Sequence, residues 1–295
     1  MTDSLERVIS LTGNIFGVAC NTTDLVAEAC RRHDVGPLAA VALGRALTGA
    51  ALFAALLKDG QSVSVKFEGN GPLKKVIAEA GYDGWVRGYV ANPHAEAPLV
   101  GGRLDVAAGI GRAGFLTVVK DIGHQQKYPG TIQLYTSEIA EDLAYYLSQS
   151  EQTPSAIALA IHLEQDGSIA ASGGYLVQSL PPADEALISQ LEEDIAAMPS
   201  LSQLLMEGQS PAQLLFRLFD KIPHKQIGRR ELIYACSCNH TKMEGALFSL
   251  GEDEIHRLLE QEDGAEVRCE FCRQSYRLRQ DELESLLLTD QHSPN

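Results

Sequence analysis

The sequence predicts an α+β protein: a mixed α/β amino-terminal domain, a helical linker and a small carboxy-terminal domain with four cysteines. Three observations predict this. Alternating, β-branched runs lie side by side with glycine-rich turns between them, rather than strictly alternating with helices. At Leu180-Pro181-Pro182 the composition changes to Leu-striped segments divided by prolines. Four of the six cysteines, Cys236, Cys238, Cys269 and Cys272, cluster near the end of the 295-residue chain. The boundaries that follow are residues 1–178, 179–230 and 231–295.

Asn21-Thr22-Thr23-Asp24 reads as a cap before a helix that runs through Arg31. Residues 37–57 are apolar apart from a few small polar residues and Arg45. A membrane span there would place Arg45 near its middle, at a cost of about 3 kcal/mol. The Ala and Gly content predicts instead a tightly packed helix inside a soluble domain. Strands are predicted at Ser62–Glu68, Lys75–Glu79 and Trp85–Ala91. The first break between them is Gly69-Asn70-Gly71-Pro72 and the second is Tyr82-Asp83-Gly84. Further strands are predicted at Phe115–Lys120, Thr131–Thr136, Ile157–Glu164 and Ile169–Gln178, with a helix over Ser137–Gln149 opened by a Ser cap.

From Ala183 to Phe219 the chain reads as short amphipathic helices. Leu187, Leu191, Leu204, Leu205, Leu214 and Leu218 line one face, acids line the other, and Pro199 and Pro211 interrupt the pattern. Helices this short are marginal alone, so the Leu stripe needs a partner surface. The residues leave two readings open: a linker packed permanently, or one that folds conditionally. The last segment holds a helical stretch over Met243–Glu260 and a Leu-rich end over Asp281–Leu288. It is too short for a large core and calls for a staple.

The formal net charge of -15 repels phosphate backbones and anionic lipid, so neither nucleic acid nor a membrane is an expected partner. The first residues carry acids and no apolar signal segment, which predicts a reducing, cytoplasmic location. In that compartment the cysteine cluster reads as metal-binding or redox-active rather than as a permanent disulfide framework.

Cys236-Ser237-Cys238 and Cys269-Glu270-Phe271-Cys272 are two close pairs separated by a foldable insert. A tetrahedral Zn2+ site needs this arrangement: each pair turns sharply, and sulfurs bound at about 2.3 Å lie roughly 3.8 Å apart. Four thiols suffice for one zinc per chain, so His240 and His256 are read as surface or structural residues. The spacing within each pair also permits a local disulfide. By spacing alone, a purely structural zinc ribbon is the simpler reading, since most four-cysteine sites only hold a fold together. Arg268 and Arg273 flank the second pair, either offsetting thiolate charge or merely occupying solvated strand positions.

Gly109-Ile110-Gly111-Arg112-Ala113-Gly114 fits a dinucleotide fingerprint, but a strand rather than a helix follows it, which predicts a turn. Cys20 and Cys30 sit among small and apolar residues and read as buried thiols. Nothing forms a catalytic arrangement, so no enzyme is predicted.

These residues resemble the thirty-three-kilodalton chaperonins, the bacterial redox-regulated heat-shock chaperone family. The likeness rests on the four cysteines, with Leu250-Gly251-Glu252-Asp253-Glu254 between the pairs. Phe67-Glu68-Gly69-Asn70-Gly71-Pro72-Leu73, Gly114–Asp121, Tyr128-Pro129-Gly130 and Ser150–Ser155 add to it. The resemblance implies an ATP-independent holdase of the stress response that is inactive when reduced and zinc-bound. It further implies that oxidation forms Cys236–Cys238 and Cys269–Cys272 disulfides, ejects zinc and unfolds the terminal domain and linker. The product is implied to be a homodimer that binds unfolding client proteins. Two rivals are a zinc-ribbon nucleic-acid-binding protein, which the acidity opposes, and a thiol–disulfide oxidoreductase. The latter needs C-x-x-C at a helix start, whereas Arg273–Leu278 reads as a knuckle leading into a strand.

Overall fold

The computed structural model describes residues 2–123, 126–249, 251–260 and 264–290. They form two compact units, one ending at Ala235 and one beginning at Cys236. The first opens with β1 (Ser4–Ser10), β2 (Ile15–Asn21), α1 (Thr23–His33) and α2 (Pro37–Ala54). There follow β3 (Ser62–Gly69), β4 (Lys75–Gly81), β5 (Trp85–Val90), the two-residue strands β6 (Leu99–Val100) and β7 (Arg103–Leu104), and α3 (Val106–Ile110). Next come β8 (Gly114–Asp121), β9 (Lys127–Gln133), α4 (Ile139–Ser150), β10 (Ser155–Leu163) and β11 (Ile169–Ser179). The unit closes with α5 (Glu185–Ala197), α6 (Leu201–Met206), α7 (Pro211–Leu218), β12 (His224–Glu231) and β13 (Ile233–Tyr234).

One sheet has the order β10-β11-β2-β1-β12 and is antiparallel throughout. The other has the order β13-β5-β4-β3-β8-β9, antiparallel except where β13 runs parallel to β5. The architecture is α+β, as the grouped strands predict. Between the sheets lies α2, which by length and composition alone could cross a membrane but is 89% buried inside the unit. Its one cation, Arg45, reaches the side of the helix and pairs with Glu138 at 2.5 Å. Inward residues of both sheets meet α2: Phe16, Val18 and Leu176 from one, Val63, Val65, Phe67, Val76 and Val118 from the other.

The five-stranded sheet is apolar on both faces, and its second face carries the linker. Val8, Ile15, Ala19, Tyr175 and Val177 pack against Leu204, Leu205, Leu214, Leu215, Leu218 and Phe219. The Leu stripe thus finds its partner surface within the same unit. Gly17 matters here: a Cβ on it would stand 2.5 Å from the Phe219 ring, so the bare backbone is what seats that ring.

Several local features differ from the sequence expectation. The strands β1, β2 and β12 are not among those expected. β2 is buried on both faces and so lacks alternation, while β12, with Lys225, Arg229 and Arg230, is a polar edge. β9 begins at Lys127 rather than Thr131 because pairing with β8 sets its register. Ser137 does not cap α4: it has φ 66° and donates to Gly111 O at 2.7 Å, and Glu138 occupies the cap position. At α1 the Asn21–Asp24 side chains make no cap bond; Asp3 accepts from Asp24 N and Leu25 N at 3.2 and 2.7 Å instead. Pro211 opens α7 instead of interrupting it, behind a capping box between Ser210 and Gln213. The fingerprint-like run spans the end of α3 (Gly109), the turn (Gly111) and the start of β8 (Gly114), and Gly71 N donates to Ile110 O there at 2.8 Å.

The second unit contains α8 (His240–Phe248), α9 (Glu252–Leu259), the hairpin β14 (Ala265–Arg268) and β15 (Ser275–Leu278), and α10 (Gln280–Asp290). Its buried aliphatic core among the described residues is Leu247, Ile255, Ala265, Leu278 and Leu283. Leu250 of the motif between the cysteine pairs lies outside the described residues, as does the end of the predicted terminal domain beyond Asp290.

Candidate metal centre

Two turns deliver the four sulfurs. Ala235 N donates to Val86 O at 3.1 Å, and the chain then passes through Cys236 and Cys238 without regular secondary structure. At Asn239 it enters α8, where the Asn side chain caps the helix by accepting from Lys242 N at 2.9 Å. The second pair occupies the bend between β14 and β15. There Cys269 N donates to Gln274 O and Arg273 N to Cys269 O, both at 2.9 Å, and Arg273 adopts φ 62° to close the bend. The knuckle expected after Cys272 therefore leads into a strand.

The sulfurs of Cys236, Cys238, Cys269 and Cys272 all lie within 4.8 Å of one another. The short approaches run across the pairs: Cys236 to Cys269 at 3.8 Å and Cys238 to Cys272 at 3.2 Å. The first equals the spacing of sulfurs around one tetrahedral metal, roughly 3.8 Å; the second is shorter than that, and both are far longer than bonded sulfurs at about 2.05 Å. All six cysteines are free thiols. Cys269 and Cys272 are buried, and burial pushes both thiols up. Burial also acts to raise Cys238, but hydrogen bonds from the Tyr276 hydroxyl and the other three cysteines outweigh it and hold that thiol down, at about 7. Four thiolates are therefore compatible with this site only beside a cation, and the donor set fits a soft divalent metal such as zinc.

Tyr276 is a functional contact that sequence reasoning missed. Its hydroxyl donates to Cys238 Sγ at 3.1 Å. No spacing rule announces it: Arg273 at φ 62° breaks the alternation between Cys272 and β15, and the partner, Cys238, lies 38 residues away in sequence. Arg268 makes its hydrogen bond to the backbone, Nε donating to Arg273 O at 2.9 Å. His256 is exposed, while His240 turns to two carboxylates, Glu282 at 3.2 Å and Glu244 at 3.7 Å. Elsewhere, Cys20 is buried as expected, whereas Cys30 is only partly buried; burial raises the thiol of Cys30 to about 12 and also pushes that of Cys20 up.

The family model described as Hsp33 protein matches residues 3–279. The chain is 60% identical over 287 residues to the 33 kDa chaperonin of Desulfotalea psychrophila, covering 97% of this chain and 98% of that one. It is 51% identical to the 33 kDa chaperonin of Geobacter sulfurreducens, covering 97% and 95%. The crystal structure of the 33 kDa chaperonin from Thermotoga maritima superposes with a TM-score of 0.90 at 34% identity, over 99% of this chain and 100% of that one.

Proposed function

The chain belongs to the Hsp33 protein family, and from that premise we propose that it is an ATP-independent holdase switched on by oxidation of its four-cysteine site. In the reduced state Cys236, Cys238, Cys269 and Cys272 hold one Zn2+. When bound, zinc keeps all four sulfurs as thiolates and ties two turns of a unit with little core of its own. Oxidation pairs Cys236 with Cys238 and Cys269 with Cys272. Each disulfide forms as two thiolates give up two electrons to a peroxide, which takes two protons and leaves as water.

Disulfide sulfurs stand about 2.05 Å apart, so pairing draws them out of a ligand set with wider spacing. The terminal unit then lacks its staple. Loss of order passes along the chain to the linker helices, whose Leu stripe is released to unfolding proteins. The active state is a cytoplasmic homodimer that binds clients and catalyses no reaction. The net charge of -15 keeps complexes soluble and leaves nucleic acid and membranes unbound.

The observation that carries this reading is the convergence of four sulfurs within 4.8 Å in a unit with so small a core. The test measures zinc content and free thiols before and after peroxide with mild heat, beside aggregation of a heat-denatured client without ATP. Loss of one zinc and four thiols should accompany suppression of aggregation. Equal suppression by the reduced and oxidised forms would leave only a structural metal. Peptide mapping that joined Cys236 to Cys269, or Cys238 to Cys272, would overturn the pairing.

A further inference from the structure

Beside the sulfurs, the second unit holds another convergent donor set. His240 and Glu244 sit four residues apart on α8, one turn of helix, and so present their side chains on one face. Glu282 arrives from α10. The His240 Nε2 lies 3.2 Å from Glu282 Oε1 and 3.7 Å from Glu244 Oε1, and one ligand atom from each of the three lies within 4.8 Å of the others. All three side chains are partly exposed, so an ion can reach them. One imidazole nitrogen and two carboxylate oxygens, with open positions for water, is a set that binds zinc, cobalt or nickel and differs in hardness from four thiolates.

We infer that His240, Glu244 and Glu282 form a second, exchangeable site for a divalent transition-metal ion, separate from the sulfur site. Two features favour it. Four thiolates around Zn2+ carry a formal charge of -2, and the two sites are joined through Tyr276, which contacts Cys238 and meets the His240 ring edge-on at 6.4 Å. A cation here offsets that charge; this part rests on the four-thiolate reading. The site also ties α8 to α10 without using a thiol. Arg279 is the competing cation, with Nη2 3.7 Å from Glu282 Oε1 and its backbone N donating to Glu282 Oε2 at 2.8 Å. Its side chain is 70% exposed and also pairs with Asp281, so it can swing away. An ion at a hundred times its dissociation constant would reduce opening of this unit about a hundredfold. The terminal unit would thereby yield later to oxidant.

The test uses the full-length reduced protein with its zinc in place, titrated with Co2+ alone and followed by equilibrium dialysis and visible absorption. One further equivalent of cobalt is expected, with only the weak bands of nitrogen and oxygen ligands. Glu244→Gln and Glu282→Gln, which keep the shape and one acceptor oxygen while removing the charge, should each lose that equivalent while retaining the zinc. His240→Ala is a third probe. No second equivalent, or one that survives in both Gln variants, overturns the proposal. So does intense thiolate charge-transfer absorption in the zinc-loaded protein, which would place the added cobalt on sulfur. Metal-free protein given one Co2+ checks the sulfur site separately: absence of that intense band there would sink the four-thiolate reading and leave the dialysis result to stand alone.

Discussion

Replacing Gly17 with Val should release the linker while the cysteines stay reduced. A Cβ at Gly17 would lie 2.5 and 2.8 Å from two atoms of the Phe219 ring and 3.2 Å from Val8 Cγ2. Carbon atoms prefer about 3.5–4.0 Å, so the ring must retreat by about 1 Å before the valine methyls are counted. Phe219 is fully buried and meets the His224 ring edge-on at 5.3 Å, which leaves it little room. Overpacking of this kind costs about 3 kcal/mol at the upper end of its range, and the stiffer unfolded chain recovers up to about 1 kcal/mol. A net cost of about 2 kcal/mol raises the undocked fraction of α5–α7 roughly 30-fold. Amide hydrogen exchange on the reduced, zinc-loaded variant reads this directly. Faster exchange is expected in α5–α7, with β3, β4 and β5 unchanged, and with measurable suppression of client aggregation before any oxidant is added. If α5–α7 exchange as in the parent protein, or only together with β3–β5, the helices are not a separately releasable layer.

Chelation under reducing conditions should abolish protease protection of α8–α10 and leave β3–β8 protected; a resistant terminal unit would mean that its five-residue aliphatic core suffices. Tyr276→Phe removes the donor to Cys238 and should weaken zinc binding roughly 10- to 100-fold in a chelator competition; an unchanged affinity would reduce that contact to packing. Asp3 has its carboxyl raised from 3.8 to about 6, mainly by burial. Folding therefore favours its protonated form. Its stabilising contribution is fully present below 3.8 and lost as pH rises through about 6. Asp3→Asn should flatten urea stability between pH 4 and 6, and an unchanged slope would assign the titration elsewhere.

The helix α2 was legible because eighteen residues with a single charge allow few placements in a soluble domain, and the middle strands were legible because Val63, Val65 and Phe67 alternate cleanly. The four sulfurs were legible because their spacing is itself the chemistry. What escaped depends on distant partners. β2 shows no period because one face meets α2 and the other meets the linker. β12 is an edge strand chosen by pairing with β1, and nothing in its polar run announces that. The Glu244 and Glu282 donors come together only once α10 folds back beside α8.

The linker is held at both ends by the same sheet. It leaves from β11 and returns as β12, with β2 and β1 lying between these two strands. Three strand spacings of about 4.8 Å put its attachment points about 14 Å apart. A melted linker would thus be a tethered loop of bounded reach rather than a free tail, provided both anchors hold. Such a loop explores a volume fixed by its anchorage, and doubling its length would add only about 0.6 kcal/mol to the cost of closing it. Client capture would occur within a few nanometres of the docking face, and re-docking would be an intramolecular search that needs no encounter with a second molecule.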